Sequence, residues 1–164
     1  MSKTEQNLQE AFAGESQANR KYLAFAKKAE EEGHAQVARL FRAAAAAETI
    51  HAHNHLKALA AVKSTRENLM AAISGETFEF QSMYPRMIDD AKMEGQDYAL
   101  RSFSLANEVE KVHAALYQKA MQDLGKNVSA DFYVCSVCGY TAEGEAPDDC
   151  PVCRAKKQAF RKAE

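Results

Sequence analysis

Long apolar runs are missing from this 164-residue chain. No stretch approaches the roughly eighteen consecutive apolar residues that a membrane-crossing helix needs, and the opening MSKTEQNLQEAF has no apolar core of a secretory signal. A cytoplasmic protein with no membrane partner is therefore expected. Charge of one sign is lacking too: 21 Lys and Arg against 23 Asp and Glu leave a formal net charge of −2, spread over mixed-sign segments without a basic stripe. Such a surface does not track a phosphate backbone, so no nucleic-acid partner is expected. Cysteine is absent before position 135; all four cysteines lie between 135 and 153 as two C-x-x-C pairs, which in a reducing compartment point to a metal site rather than to disulfides.

Glycine is scarce from Ser2 to Gly125 and falls mainly at segment ends, while Ala, Leu, Glu, Lys and Gln dominate and apolar residues recur at three and four. Four helices are expected, over about 4–32, 35–62, 66–94 and 97–124. Ser2 with Glu5, and Ser64 with Glu67, have capping-box spacing before the first and third, and Gly33, Gly95 and Gly125 suit the ends of the first, third and fourth. Pro85 lies inside the third and is expected to kink it. After Gly125 the composition shifts to KNVSADFYVCSVCGYTAEGEAPDDCPVC, with glycine, proline, β-branched and aromatic residues in place of alanine. The expected domains are thus 1–127 and 128–164. The second is too short to build an adequate hydrophobic core, so a metal must hold it together.

The alanine run in RAAAAAETIHAHNHL makes a thin helix that lets a neighbour come close, and it leads into Glu48 and His51, which share a helical face at i and i+3. A solvated surface helix also explains one such pair. The chain, however, repeats itself at an offset of 62: Tyr22 matches Tyr84, Gly33 matches Gly95, Arg39 matches Arg101, Phe41 matches Phe103, Glu48 matches Glu110 and His51 matches His113. Gly14-Glu15 matches Gly75-Glu76 at 61, which supplies one more glutamate to each half. Two helices giving Glu and two giving Glu-x-x-His is the ligand set of a carboxylate-bridged di-iron bundle. Two divalent irons close together need bridging anions, which carboxylates supply and imidazoles do not, so Glu48 and Glu110 are the expected bridges. Such carboxylates are costly to bury unpaired and require either metal or, without it, protonation. His34, His53 and His55 have no counterpart in the repeat and are read as a solvated face or cap. Tyr22 and Tyr84 fit core packing as well as a role near the metals.

The change of offset from 61 at Glu15/Glu76 to 62 at Tyr22/Tyr84 marks one inserted residue in the third helix. An insertion that does not end the helical pattern is absorbed as an i→i+5 turn, so a π turn is expected beside Glu79, which has no partner in the first half. The cysteine segment, C-S-V-C-G-Y and then C-P-V-C, is two metal knuckles formed by Cys135, Cys138, Cys150 and Cys153. Spacing alone leaves zinc and iron both open. A one-electron carrier has a purpose beside a di-iron site, and Gly139-Tyr140 and Pro151 are rubredoxin-like features.

FAGESQANRKY at 12–22, ETIH at 48–51, GETFEFQSMYP at 75–85, EKVH at 110–113, CSVCGY at 135–140 and CPVC at 150–153 together resemble the rubrerythrins from about Thr4 to the C-terminus. The resemblance implies an all-α four-helix ferritin-like bundle followed by a small rubredoxin-like domain. The cofactors would be a di-iron centre and one iron held by the four cysteines, where zinc enters some recombinant preparations. It further implies reduction of hydrogen peroxide to water, with electrons from NAD(P)H delivered by a rubredoxin or an NAD(P)H-dependent reductase. Carried over by position, Glu15, Glu48, Glu110 and either Glu79 or His51 surround one iron, and Glu48, Glu76, Glu110 and His113 the other, Glu79 replacing His51 on oxidation. Glu79, His51, Tyr22 and Tyr84 are the candidate catalytic residues. Ferroxidase or iron handling in the manner of ferritins is the alternative function, but an iron store has little use for an electron-input domain.

A ferritin-like bundle has its second and third helices parallel, so their connection must run about 40 Å for helices of this length. The segment Val62 to Thr65 reaches roughly 14 Å. A homodimer or higher oligomer in which two chains exchange helix pairs is therefore expected, with an up-down-up-down single-chain bundle as the alternative. Glu110 lies some fourteen residues, or about 21 Å, before the end of the fourth helix. On that count the cysteine site is expected far from its own chain's ligands, with a partner's module docking closer.

Overall fold

Ser2 and Ser64 behave as their spacing to Glu5 and Glu67 predicts. Each side-chain hydroxyl accepts from the backbone N–H three residues on (3.1 and 3.3 Å), and each glutamate reaches back to the serine N–H (2.6 and 3.1 Å), so two reciprocal capping boxes start two helices. The computed structural model describes residues 1–163. Its helices are α1 (Lys3–Glu31), α2 (Ala35–Ala58), α3 (Thr65–Phe78), α4 (Tyr84–Met93) and α5 (Asp97–Gln122), with a π turn, Glu79–Met83, joining α3 to α4. By internal contacts the chain divides into two compact units, Met1–Lys63 and Ser64–Glu164.

In the first unit α1 and α2 pack through small side chains: Ala26, Ala29, Ala38, Ala45 and Ala52 are buried. Of the five alanines at 43–47 only Ala45 is fully enclosed, and there the approach is close enough for Asn19 on α1 to donate from Nδ2 to the Ala45 carbonyl at 2.7 Å and to Thr49 Oγ1 at 2.9 Å. The pair ends earlier than expected. Helix α2 stops at Ala58, not near residue 62, because Ala60 takes a left-handed conformation (φ 49°) and the Ala61 N–H closes back on the Leu56 carbonyl at 3.0 Å. The same closure follows α1, where the His34 N–H bonds Ala29 O at 2.7 Å around Gly33. Glycine announced that end in the sequence; alanine gave no such signal at Ala60.

The expected π turn is present. Tyr84 donates its N–H to Glu79 O, five residues back, so the residue inserted between Glu76 and Tyr84 is taken up without ending the helix. Pro85 follows at once, at the start of α4. The wider turn before it relieves the crowding that a proline ring meets four residues back in a regular helix. The repeat survives the insertion: Tyr22 packs on Phe41 with ring centroids 6.1 Å apart, and Tyr84 on Phe103 at 6.4 Å.

After α5 the chain forms an antiparallel three-stranded sheet in the order β2-β1-β3, from β1 (Phe132–Cys135), β2 (Thr141–Glu143) and β3 (Phe160–Lys162). Tyr140 and Phe160 meet edge to face beside it. The position of this module corrects the expectation of a cysteine site far from its own chain's ligands. It folds back along α5 within the second unit: Lys119 Nζ pairs with Glu143 Oε2 at 2.5 Å, His113 Nε2 meets Thr141 Oγ1 at 3.0 Å, and a Cβ at Gly139 would lie 3.8 Å from Val109. Counting residues to the helix end assumed that the chain continues outward, and a reversal after Gln122 removes that assumption.

Ala60→Gly should stabilise the chain by about 1 kcal/mol, since glycine adopts positive φ without the clash that a Cβ meets there. A higher urea midpoint at unchanged m-value checks this; a lower midpoint contradicts it.

Candidate metal centres

The i, i+3 pairs of the repeat have the same local geometry. His51 Nδ1 lies 2.8 Å from Glu48 Oε2, and His113 Nδ1 lies 2.7 Å from Glu110 Oε2. Each pair is joined by the extra glutamate of its own half. Ligand atoms of Glu15, Glu48 and His51 lie within 4.8 Å of one another in the first unit, and those of Glu76, Glu110 and His113 do so in the second. The two rings differ in cover: the His51 side chain is 53 % exposed and that of His113 27 %.

In the second unit the carboxylates face each other at close range. Burial, followed by the charge of Glu110 and a hydrogen bond with it, pushes Glu76 up to about 7, against a partial opposing effect of His113. Glu79 in the π turn is also raised, by burial and then by the charge of Glu110. Tyr84 is held above the usual phenol range by burial and then by Glu79, Glu110 and Glu76. The π turn thus brings Tyr84 to the carboxylate face, where an unabsorbed extra residue would have turned it away. Tyr22 lies among Phe25 and Phe41 in the first unit.

The four cysteines converge without a disulfide. Cys135 Sγ and Cys153 Sγ are 3.7 Å apart, and Cys138 Sγ and Cys150 Sγ 3.6 Å, close to the ~3.8 Å edge of a tetrahedron with metal–sulfur bonds of about 2.3 Å. The knuckles match: Gly139 N–H donates to Cys135 O at 2.9 Å and Arg154 N–H to Cys150 O at 3.0 Å, with both residues at positive φ. Burial raises the Cys138 and Cys153 thiols. Cys150 is also desolvated, yet backbone N–H groups of Cys153 and Val152 bring it down. Both donor sets fit iron: carboxylate-rich trios with one imidazole each suit a di-iron centre, and four thiolates suit a single iron.

Two contacts near the candidate ligands were not legible in the sequence. Thr141 partners His113 across 28 residues, and Asn19 ties α1 to the alanine run. No local spacing marks either. His53 is exposed and His55 half-buried on α2, and His34 precedes that helix without a side-chain capping bond.

Four helices carrying paired Glu and Glu-x-x-His ligands, followed by a four-cysteine module, define a ferritin-like metalloprotein with a rubredoxin-like appendage. Comparison with known proteins gives the same class: the rubrerythrin family profile matches residues 6–121, and that of the rubrerythrin rubredoxin-like domain residues 133–161. The chain belongs to the rubrerythrin family, and membership implies oxidoreductase activity. Nigerythrin of Nitratidesulfovibrio vulgaris is 38 % identical, the match covering 96 % of this chain and 85 % of that protein. Rubrerythrin-2 of Clostridium acetobutylicum is 36 % identical, covering 94 % and 93 %. A solved structure of fully reduced, all-ferrous nigerythrin is similar with a TM-score of 0.61 at 37 % identity, covering 99 % of this chain and 88 % of that one. No helix among the described residues is long and apolar enough to cross a membrane.

The metal-free chain should lose stability as pH rises. Folded Glu76 holds its proton up to about 7, whereas the unfolded carboxyl, at its ordinary 4.5, has already released it, so rising pH favours unfolding across that window. Urea midpoints of metal-free protein should therefore fall between pH 5 and 7.5, and Glu76→Gln should flatten the fall. An equally steep fall in Glu76→Gln would refute the assignment.

Proposed function

We propose that this chain is a non-haem di-iron peroxidase that reduces hydrogen peroxide to water in defence against oxidative stress. Electrons come from NAD(P)H through a rubredoxin or an NAD(P)H-dependent reductase and are received by the cysteine module. The observation that carries this reading is the 3.0 Å contact between Thr141 of that module and His113 of the Glu76, Glu110 trio. An electron-input module built against a carboxylate–imidazole cluster suits turnover and has no use in an iron store. The division into a di-iron domain, 1–127, and a four-cysteine iron domain, 128–164, is supported by the separate family matches to 6–121 and 133–161. Four cysteines free of disulfides suit the reducing cytoplasm.

Paired ferrous iron, when bound, supplies the two electrons that divide the O–O bond, with the balance H2O2 + 2 e− + 2 H+ → 2 H2O. Glu48 and Glu110 would be the ligands shared by both metals, Glu15 and Glu76 would hold one each, His113 would stay bound, and His51 and Glu79 would alternate, the anion being favoured at higher metal charge. Glu79 sits in the π turn, the one feature that the first half of the repeat lacks. The Tyr84 hydroxyl, its proton held by burial and then by the carboxylates around it, donates a hydrogen bond that orients peroxide, and Tyr22 has the corresponding position on α1. After anaerobic reduction of the iron-loaded protein, two equivalents of hydrogen peroxide per chain, enough to take the two electrons of the di-iron pair and the one of the cysteine iron, should return the visible absorption of the cysteine site. Glu79→Ala should slow that return roughly 10- to 100-fold with the fold intact. Absorption that stays bleached in the parent protein refutes the peroxidase, and an unchanged rate in the variant refutes the alternation.

The assembly is a homodimer in which α1 and α2 of one chain complete a bundle with α3 to α5 of the other. The support is the short connection from Ala58 to Thr65, the division of the chain at Lys63, and apolar side chains left exposed on both units, including Leu40 and Ile50 on α2 and Met70 and Phe78 on α3. Mixing Glu48→Ala chains with Cys135→Ala chains should restore peroxide turnover, because an exchanged dimer then contains one site with every ligand and an intact module. Two inactive variants that stay inactive after unfolding and refolding together would rule the exchange out.

A further inference from the structure

His51 and His113 are equivalent in the repeat but not in their surroundings. The Nδ1 of each faces the glutamate three residues before it, at 2.8 and 2.7 Å. On the far side of the ring the two diverge. His113 Nε2 is 3.0 Å from Thr141 Oγ1, and that hydroxyl donates its own hydrogen to the Gly139 carbonyl at 3.2 Å. A hydroxyl has one hydrogen to give, so toward His113 it is an acceptor and Nε2 must carry the proton. Nδ1 is then the nitrogen left to a metal. The contact borders a cavity of about 350 Å³ otherwise lined by Leu69, Leu116, Ala120, Phe132 and Tyr117, of which Tyr117 alone carries a polar side-chain atom. His51 Nε2 has no hydrogen-bond partner among the described residues, and its ring is about twice as exposed.

We propose that Thr141 is a positioning residue, supplied by the cysteine module, that fixes the His113 tautomer and anchors its ring, so that exchange of imidazole for carboxylate is confined to His51. This rests on the di-iron reading and adds a cause for its asymmetry. A ring tethered at Nε2 cannot withdraw from a metal at Nδ1 without breaking the Thr141 bond, whereas an untethered ring swings away at no such cost. Groups that orient a ligating imidazole through its second nitrogen typically change metal affinity 10- to 100-fold when removed.

The test uses the full-length protein loaded anaerobically with ferrous iron. Proton NMR should show two exchangeable imidazole N–H signals shifted by the metal, one exchanging slowly with water, from His113, and one rapidly, from His51. Thr141→Val should abolish the slow signal and weaken ferrous iron binding in the helical domain by roughly 10- to 100-fold. After reoxidation the ferric cysteine absorption should be as in the parent, reporting an intact module, and Thr141→Ser should restore both readouts. A slow signal and parental iron affinity in Thr141→Val overturn the proposal. So does fast exchange in Thr141→Ser, which decides the matter should the valine variant disturb the cysteine absorption. A parent protein that takes iron only at the cysteines and shows no shifted imidazole signal refutes the di-iron reading itself, and the role of Thr141 with it.

Discussion

Carboxylates that face one another across a pair of helices repel, and everything distinctive in this chain follows from holding them there. Burial, and then the charge of Glu110, raise the proton affinity of Glu76 and Glu79, and His113 offsets part of that rise. Without a cation the cluster keeps a proton near neutrality; with one, the repulsion becomes the binding energy of a highly charged ion. The need for opposed acids explains why the ligands come in two matching sets, each set assembled from both helices of a pair.

The internal repeat supplies the matching sets, and departures from it make the two sets differ. Glu15 and Tyr22 are seven residues apart on α1, two turns on one face, while Glu76 and Tyr84 are eight apart. The π turn takes up the difference, returns Tyr84 to the carboxylate face and brings in Glu79, which has no equivalent on α1. The second departure lies outside the helices. His113 has a hydroxyl behind it and His51 does not, so two rings that are equivalent in the repeat differ in their surroundings.

The cysteine module is tied to this asymmetry by where it packs. Its metal knuckles are self-contained, built from short backbone hydrogen bonds within each C-x-x-C loop, and need nothing from the helices. Its β2 strand nevertheless lies along α5, with Glu143 paired to Lys119 and Thr141 at His113. The change in composition near residue 128 and the division in contacts at Lys63 therefore answer different questions. Composition separates two chemistries; packing joins the module to the helices that precede it.

Local spacing was enough to read the four helices, both capping boxes, the pairing of Glu48 with His51 and of Glu110 with His113, the two knuckles and the π turn, because each depends on residues within about two turns or on the register of one half of the repeat against the other. The end of α2 was not legible, since alanine at a left-handed position is set by closure of the final turn and leaves no mark in composition. The fold-back of the module and the partnership of Thr141 with His113 were not legible either. Both are decided by how the chain reverses after Gln122, and a contact spanning 28 residues depends on that path, which no periodicity encodes. The sequence by itself determined which side chains recur at metal-ligand spacing; the tertiary structure decided which of the two histidines meets a hydroxyl.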